Sequence, residues 1–248
     1  MNSIKAASRQ AGVLYLLFSI VAIACQFFFP AFVVSGDATA TARNIAAAEL
    51  SYRIGILAGL VTHVLFLFVV LSLYDLFKDV DRKHARLMVL LVSVGVAIAL
   101  ANLLNKIAPL ILLSGADYLS VFTKPQLDAL ALGFLLLHSN GVTVATAFWG
   151  LWLFPFGILV IRSGFFPRVL GVLLMVAGFA YLSSSVASIA LPAYRHVVSQ
   201  VMMPLYFGEV PIIFWLLIGG AKVQERAARP SGVLDGPGRM ATHRAGAA

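Results

Sequence analysis

Apolar residues follow one another in six long runs along this chain, and polar residues gather in the segments between the runs. The runs lack the strict alternation of a half-buried β-strand and the single apolar face of a surface helix. About 20 consecutive apolar residues are enough for an α-helix to cross a bilayer. The pattern therefore predicts an all-α, polytopic transmembrane helix bundle with six spans, at about residues 11–32, 54–77, 87–106, 142–161, 169–191 and 203–221.

The third and fourth apolar runs, residues 87–113 and 129–161, are longer than one crossing needs. A helix rises about 1.5 Å per residue, so the surplus extends beyond a hydrocarbon core of about 30 Å. We expect residues 109–137 to form a short-helix cap on the outer surface together with the first loop, residues 35–53. Strong tilting of both helices is the alternative. In the first loop, Asp37 is predicted to cap a short helix that ends near Ser51.

Composition agrees with a membrane protein. Only 11% of the residues are charged and the mean hydropathy is +0.96, whereas a soluble domain carries about 25% charged residues. Thirteen Lys and Arg residues fall on the side of both termini and four on the other. This bias predicts the cell membrane as the location and the cytoplasm as the side of both termini. Residues 222–248 are expected to be a disordered cytoplasmic tail.

The net charge of +8 and the lone cysteine, Cys25, narrow the function classes. No patch of basic and aromatic residues accompanies the positive charge, so we expect the lipid bilayer, and no nucleic acid, as a partner. A single cysteine excludes an intrachain disulfide and a site built on a cysteine pair. The sequence contains no phosphate-binding, nucleophile-elbow, dinucleotide or zinc-protease motif. We therefore expect no catalytic residues, no metal and no cofactor, and the chain does not favour an enzyme.

Four stretches of the chain resemble an uncharacterised family of bacterial integral membrane proteins, the domain-of-unknown-function 4386 family. They are GDATATARNIAAAELSYRIG (36–55), NLLNKIAPLILLSGADYLSVF (102–122), LLLHSNG (135–141) and GILVIRSGFFPRVLGVLLMVAGFAYL (157–182). The resemblance covers roughly residues 5–220. It implies a multi-helix membrane protein and no established activity. In that family an acidic residue often follows YL, where this chain has Ser183, Ser184 and Ser185.

Polar residues within the spans are the candidate functional residues. His63 and Glu209 are each placed near the midplane by counts from different helix ends, and Glu209 lies between Pro204 and Pro211, which can kink a helix. We therefore predict that the two side chains bond directly or through one water. The candidate polar pocket comprises His63, Glu209, Asn102, Gln26 and Ser184, and the candidate outer rim comprises His138, Asn105, Asp37 and Arg53.

Lys106 and three potential metal ligands also lie in or beside the predicted spans. We interpret Lys106 as an anchor at the outer interface, with a buried functional lysine as the alternative. Two histidines and a carboxylate, His63, His138 and Glu209, could in principle hold zinc. Their predicted depths place His138 about 16 Å from Glu209 along the membrane normal, which argues against a shared metal site.

The sequence is compatible with three functions. The sequence favours a non-catalytic membrane or envelope role, in which polar residues hold helices together. The alternative is binding or transport of a small molecule, lipid or ion through an outward-facing polar pocket. The third is an intramembrane enzyme, for which Ser183, Ser184 and Ser185 are the nucleophile candidates nearest His63 and Glu209.

Overall fold

A computed structural model describes residues 2–27 and 32–219, with the side chains of residues 4–25 and 32–218. The regular structure of these residues is helical. Its α-helices are α1 (Asn2–Phe27), α2 (Ala38–Ala47), α3 (Glu49–Phe77), α4 (Arg82–Asn102), α5 (Leu104–Leu112), α6 (Lys124–Leu151), α7 (Leu153–Ser163), α8 (Arg168–Ala190), α9 (Arg195–Tyr206) and α10 (Val210–Phe214). The predicted tail, residues 222–248, lies outside the described residues.

Six helical units in the described part of the chain are long enough and apolar enough to cross a membrane, which confirms the predicted all-α membrane bundle. They are Ile4–Cys25, Glu49–Phe77, Arg82–Leu112, Lys124–Ser163, Arg168–Ala190 and Arg195–Ile218. One apolar core joins them, with Tyr15, Phe66, Trp152, Leu174 and Ile212 among its buried members. Many large apolar side chains on the outside of the bundle are exposed, as helices that contact lipid require.

The fourth unit differs from the sequence prediction. We expected residues 109–137 to form a short-helix cap and the span to begin near residue 142. In the structure α6 begins at Lys124 and α7 follows it directly, so the last part of the expected cap is continuous with the span. Pro125 in the first turn and the Gln126 side chain, which accepts from the Thr123 amide at 2.8 Å, start this helix early. The 40-residue unit is about 60 Å long. Residues 124–137 are therefore the first turns of this long unit.

The elements α2, α5 and the first half of α6 pack together beside the start of α3. We call this region the cap end. Its small core consists of Ile45, Tyr52 and Leu135. Asp37 caps α2 as predicted, accepting from the Ala40 amide at 2.8 Å, although α2 ends at Ala47 rather than near Ser51.

Two reciprocal pairs of glycines hold α8 against the unit formed by α6 and α7. A Cβ on Gly150 would lie 2.8 Å from the Gly178 carbonyl oxygen, and one on Gly157 would lie 2.6 Å from the Gly171 carbonyl oxygen. No other residue fits at such a distance without moving one of the backbones. This contact fixes where α8 places its side chains relative to α6.

Asp81 organises the end of the bundle opposite the cap, which we call the loop end. Its carboxylate accepts from the Lys83 and His84 amides at the start of α4, and from His84 Nδ1 at 2.7 Å. It also pairs with Arg162 at the end of α7. Arg162 is one of the thirteen Lys and Arg residues that the sequence assigns to the side of both termini. In the structure, Arg162 also ties the loop after α3 to the end of α7.

The Asp81 contacts predict a pH-dependent stability. The His84 amide, assisted by the His84 and Arg162 side chains, lowers the pKa of Asp81 from its ordinary value of 3.8 to about 2. A lowered carboxyl pKa stabilises the fold above the ordinary value, and this contribution is lost as the pH falls through about 2. Asp81→Ala should lower the thermal midpoint by a few degrees at pH 7. The difference from the wild type should shrink as the pH falls from about 4 to 2.

Asp79→Ala is the matched control, because Asp79 is exposed in the same loop and none of the hydrogen bonds of the described residues involves it. Thermal unfolding in detergent across this pH range measures both variants. Equal midpoints for the two variants at pH 7 would contradict the organising role of Asp81.

Candidate intramembrane cavity

A cavity of about 730 Å³ lies among α1, α3, α4 and α6 and reaches α8 and the last helical unit. Its volume falls in the range of about 300–1,000 Å³ that small-molecule sites occupy. Aromatic and aliphatic side chains form much of its wall. Its ionisable side chains are few and come from different elements: His63, Lys106, His138, Glu209, Cys25, Tyr52 and Tyr181.

Asn102, at the end of α4, joins α4 to α6. Its Nδ2 donates to the His138 carbonyl oxygen at 2.8 Å, and its Oδ1 accepts from Asn105 at 2.8 Å. His138 returns a bond from Nδ1 to the Asn102 carbonyl oxygen at 3.1 Å. A Cβ on Gly141 would lie 2.2 Å from the Asn102 Oδ1, so the glycine of LLLHSNG makes room for this carboxamide. Asn102 is therefore buried with both polar atoms of its carboxamide bonded to the protein.

The ring orientations of His63 and His138 follow from their partners. The Nδ1 atom of His63 lies 2.6 Å from the Gly59 carbonyl oxygen, and that of His138 faces the Asn102 carbonyl oxygen. A carbonyl oxygen can only accept, so each Nδ1 carries a hydrogen and donates. Trp149 stacks on His63 with 5.9 Å between ring centroids and holds the imidazole in place. Each Nε2 makes no hydrogen bond with a described residue.

Lys106 lies on the wall of this cavity. Its carbonyl oxygen accepts from the Tyr52 hydroxyl at 2.8 Å, which ties α5 to the start of α3. Its ammonium group makes no hydrogen bond or ion pair with a described residue. The side chain also lies close enough to His63 and His138 to interact with both electrostatically. Lys106 is thus half-buried beside the cavity, and its interpretation as an anchor at the outer interface stays a prediction.

Glu209 belongs to the part of the wall formed by the last helical unit. The helix breaks as its two prolines suggested: a 3-10 turn at Phe207–Glu209 separates α9 from α10, and a π-helical segment, Trp215–Gly219, follows. A Cβ on Gly208 would lie 2.6 Å from the Leu173 carbonyl oxygen, so this turn packs tightly on α8.

Tyr15 is the hydrogen-bond partner of Glu209, donating its hydroxyl to Oε2 at 2.6 Å. The Tyr181 phenol lies beside the same carboxyl, and its ring stacks on Tyr206 at 4.5 Å. His63 and Glu209 line the same cavity but share no direct hydrogen bond in the described structure. A bridge between them through one water stays a prediction.

The other candidate residues of the sequence analysis lie apart from the cavity or outside the description. The Ser184 hydroxyl pairs with that of Tyr206 at 2.5 Å, and Asn105 supports Asn102. Asp37 caps α2, and Arg53 forms an exposed ion pair with Glu49. The Gln26 side chain lies outside the described residues. His138, which the sequence analysis assigned to the candidate outer rim, lines the cavity, and its depth in the membrane stays a prediction.

Comparison with known proteins identifies the family and assigns no activity. A family model described as a domain of unknown function, 4386, matches residues 10–220. This chain belongs to the domain-of-unknown-function 4386 family. An uncharacterised protein of Archaeoglobus fulgidus is 30% identical over 149 residues, which cover 58% of this chain and 86% of that protein. No solved structure matches the chain.

Sequence reasoning missed Tyr15, Tyr181 and Trp149, three aromatic residues that hold the cavity's ionisable groups in place. Each lies in an apolar run, where aromatic residues are ordinary, so composition gave no signal for any of them. Tyr15 and Glu209 are 194 positions apart, and no spacing rule relates them. Within the described residues of this family member, no three His, Cys, Asp or Glu side chains lie close enough to hold a metal ion.

The Tyr15–Glu209 contact predicts a measurable coupling. Tyr15→Phe, Glu209→Gln and the double variant form a cycle that should give a coupling free energy of about 0.5–3 kcal/mol, because the two groups are in direct contact. The matching cycle with His63→Gln should give a smaller value. Thermal or denaturant unfolding in detergent measures both cycles. A larger coupling of Glu209 to His63 than to Tyr15 would show that the partners are assigned wrongly.

Proposed function

We propose that this protein binds a small molecule within the membrane, in the cavity lined by His63, Lys106, His138 and Glu209. The observation that carries the proposal is the set of three nitrogen atoms on the cavity wall, His63 Nε2, His138 Nε2 and Lys106 Nζ, that bond to no described residue. A polar group left without a partner in apolar surroundings costs free energy. A bound ligand would supply the missing partners.

Purely structural polar residues have a different pattern of contacts. Both polar atoms of the Asn102 carboxamide bond to the protein, and Ser185 donates to the Thr143 carbonyl oxygen at 2.8 Å. Thr62 donates to the Ala58 carbonyl oxygen of its own helix at 2.8 Å. These residues suit the structural role that the sequence favoured. The cavity nitrogens differ from them, and this contrast supports the ligand-binding alternative.

An intramembrane enzyme receives less support. It would need a nucleophile beside a base, and its candidates were the serines after YL. The Ser184 hydroxyl pairs with the Tyr206 hydroxyl, and the Ser185 hydroxyl donates to the Thr143 carbonyl oxygen. None of the three candidates, Ser183, Ser184 and Ser185, is part of the cavity wall.

Transport of the ligand is the second candidate, and the broken last helix favours it. The 3-10 turn at Phe207–Glu209 and the π-helical segment after α10 interrupt regular hydrogen bonding beside the cavity. Interruptions of this kind often mark functional hinges, and transporters build substrate sites from discontinuous helices.

We further propose that the protein lies in the cell membrane with its loop end and both termini in the cytoplasm. The support is the bias of thirteen Lys and Arg residues against four. The cap end would then face outward. Fluorescent protein fused after Ala248 should fluoresce, and alkaline phosphatase at the same position should be inactive. An active phosphatase there would reverse the orientation.

Filling the cavity tests the binding function directly. Val142 lines the cavity, whereas Val144 of the same helix is 43% exposed on the outside. Val142→Phe should exclude the ligand, and Val144→Phe should not, although both add the same side chain to α6. Native mass spectrometry of protein released from mild detergent should show a bound small molecule in the wild type and in Val144→Phe, and none in Val142→Phe. The same bound mass in all three proteins, or in none of them, would contradict the proposal.

A further inference from the structure

We infer that the ligand is an amphiphilic acid, with a carboxylate or phosphate headgroup held by Lys106, His63 and His138 and with an apolar body in the rest of the cavity. This inference rests on the proposed binding function and deepens it. An anionic phospholipid and a free amphiphilic acid share the required headgroup chemistry.

The side chains proposed to contact the ligand's headgroup are one lysine amine and two imidazoles. Lys106 comes from α5, His63 from α3 and His138 from α6, and they lie within electrostatic reach of one another. None of them pairs with a carboxylate among the described residues. A cationic ligand would be repelled here, and a neutral one would leave the ammonium group without a counterion. An anion satisfies the ammonium group through a charge-assisted hydrogen bond.

The other ionisable groups of the cavity are arranged differently. Glu209 bonds to Tyr15 and lies beside Tyr181. Cys25 pairs with the Thr62 hydroxyl at 3.7 Å, and Tyr52 donates to the Lys106 carbonyl oxygen. Protein partners therefore already engage the acidic and weakly acidic groups. Of the ionisable groups of the cavity, Lys106 Nζ and the two Nε2 atoms are those that no described residue engages. The Trp149 indole nitrogen on the same wall also has no hydrogen-bond partner among the described residues.

Both imidazoles are oriented so that their Nε2 atoms can bond to the ligand's headgroup. Their Nδ1 hydrogens are committed to backbone carbonyl oxygens, so a proton added to either ring must go to Nε2. A protonated Nε2 donates to an anionic oxygen. A neutral Nε2 accepts from the hydroxyl of a protonated acid. The pair can therefore hold an acid headgroup in either state, with Lys106 as a further donor.

The rest of the cavity wall indicates that the ligand has an apolar body. Phe18, Phe66, Leu135 and Trp152 line the cavity together with Ala22 and Ala99. These side chains offer no hydrogen bonds except the Trp152 indole, and burying a hydrocarbon chain against them gains about 0.8 kcal/mol per methylene. A small inorganic anion would leave most of this surface without a contact.

Binding of three probes with the same alkyl chain tests the headgroup. Dodecanoate, dodecyl phosphate and dodecanol are titrated against the purified chain in phosphatidylcholine nanodiscs, and binding is measured by native mass spectrometry. The two acids should bind about tenfold or more tightly than the alcohol, because each adds a charged hydrogen bond. A separate titration of phosphatidic acid into the nanodisc separates the lipid source from the free acid. If phosphatidic acid binds more tightly than the free acids in a Lys106-dependent way, the ligand is a phospholipid; the reverse order identifies a free amphiphilic acid.

Substitution of Lys106 gives the second readout. Lys106→Gln should weaken acid binding by about tenfold or more and leave dodecanol binding unchanged, and Lys106→Arg should retain most of the acid affinity. Lys83→Gln removes the same charge from an exposed position at the loop end and should have no effect. If Lys106→Gln does not fold, the wild-type preference for acids over the alcohol decides the question alone.

The outcomes separate this inference from the proposed function. Equal wild-type binding of the acids and dodecanol, lost in Val142→Phe, would overturn the acid headgroup and leave the binding cavity intact. Acid binding that is unchanged in Lys106→Gln would also overturn it. Binding of neither the acids nor the alcohol, together with no ligand bound to the purified wild type, would overturn both proposals.

Discussion

The protein lines a cavity among its membrane helices with ionisable side chains, and these groups need hydrogen-bond partners that lipid does not offer. Backbone carbonyl oxygens are the partners of two of these side chains. His63 uses the Gly59 oxygen of its own helix, and His138 uses that of Asn102 on a neighbouring helix. Each bond fixes a tautomer and turns the opposite ring nitrogen away from the backbone. The cavity chemistry depends on these two backbone contacts.

The surrounding architecture keeps those contacts in register. The long unit of α6 and α7 carries His138 and Trp149, and the Gly150–Gly178 and Gly157–Gly171 pairs hold it against α8. At the cap end, the Tyr52 hydroxyl binds the Lys106 carbonyl oxygen, so the start of α3 determines where the lysine lies. At the loop end, Asp81 links α4 to α7. The helices that supply the cavity nitrogens are thus connected at both ends of the bundle.

Hydropathy alone was sufficient to predict the six membrane helices, since a span needs only length and apolar composition. Local rules also predicted the Asp37 cap and the break near Pro204 and Pro211, because a cap or a proline acts on its own helix. The predicted short-helix cap was not confirmed for residues 124–137, which form the start of α6. The position of Lys106 on the cavity wall and the pairing of Glu209 with Tyr15 depend on contacts between distant helices. Such contacts have no signature in a single sequence.

Cys25 provides the most direct measurement of the central claim, an accessible polar cavity inside the bundle. It is the only cysteine of the chain, and it lies on the cavity wall. In the folded protein, N-ethylmaleimide should modify it, Val142→Phe should slow the reaction, and Val144→Phe should leave the rate unchanged. A thiol that reacts only after unfolding would contradict the cavity. So would a thiol that reacts equally fast with a bulky polymer-linked maleimide, since that thiol would lie on the outer surface.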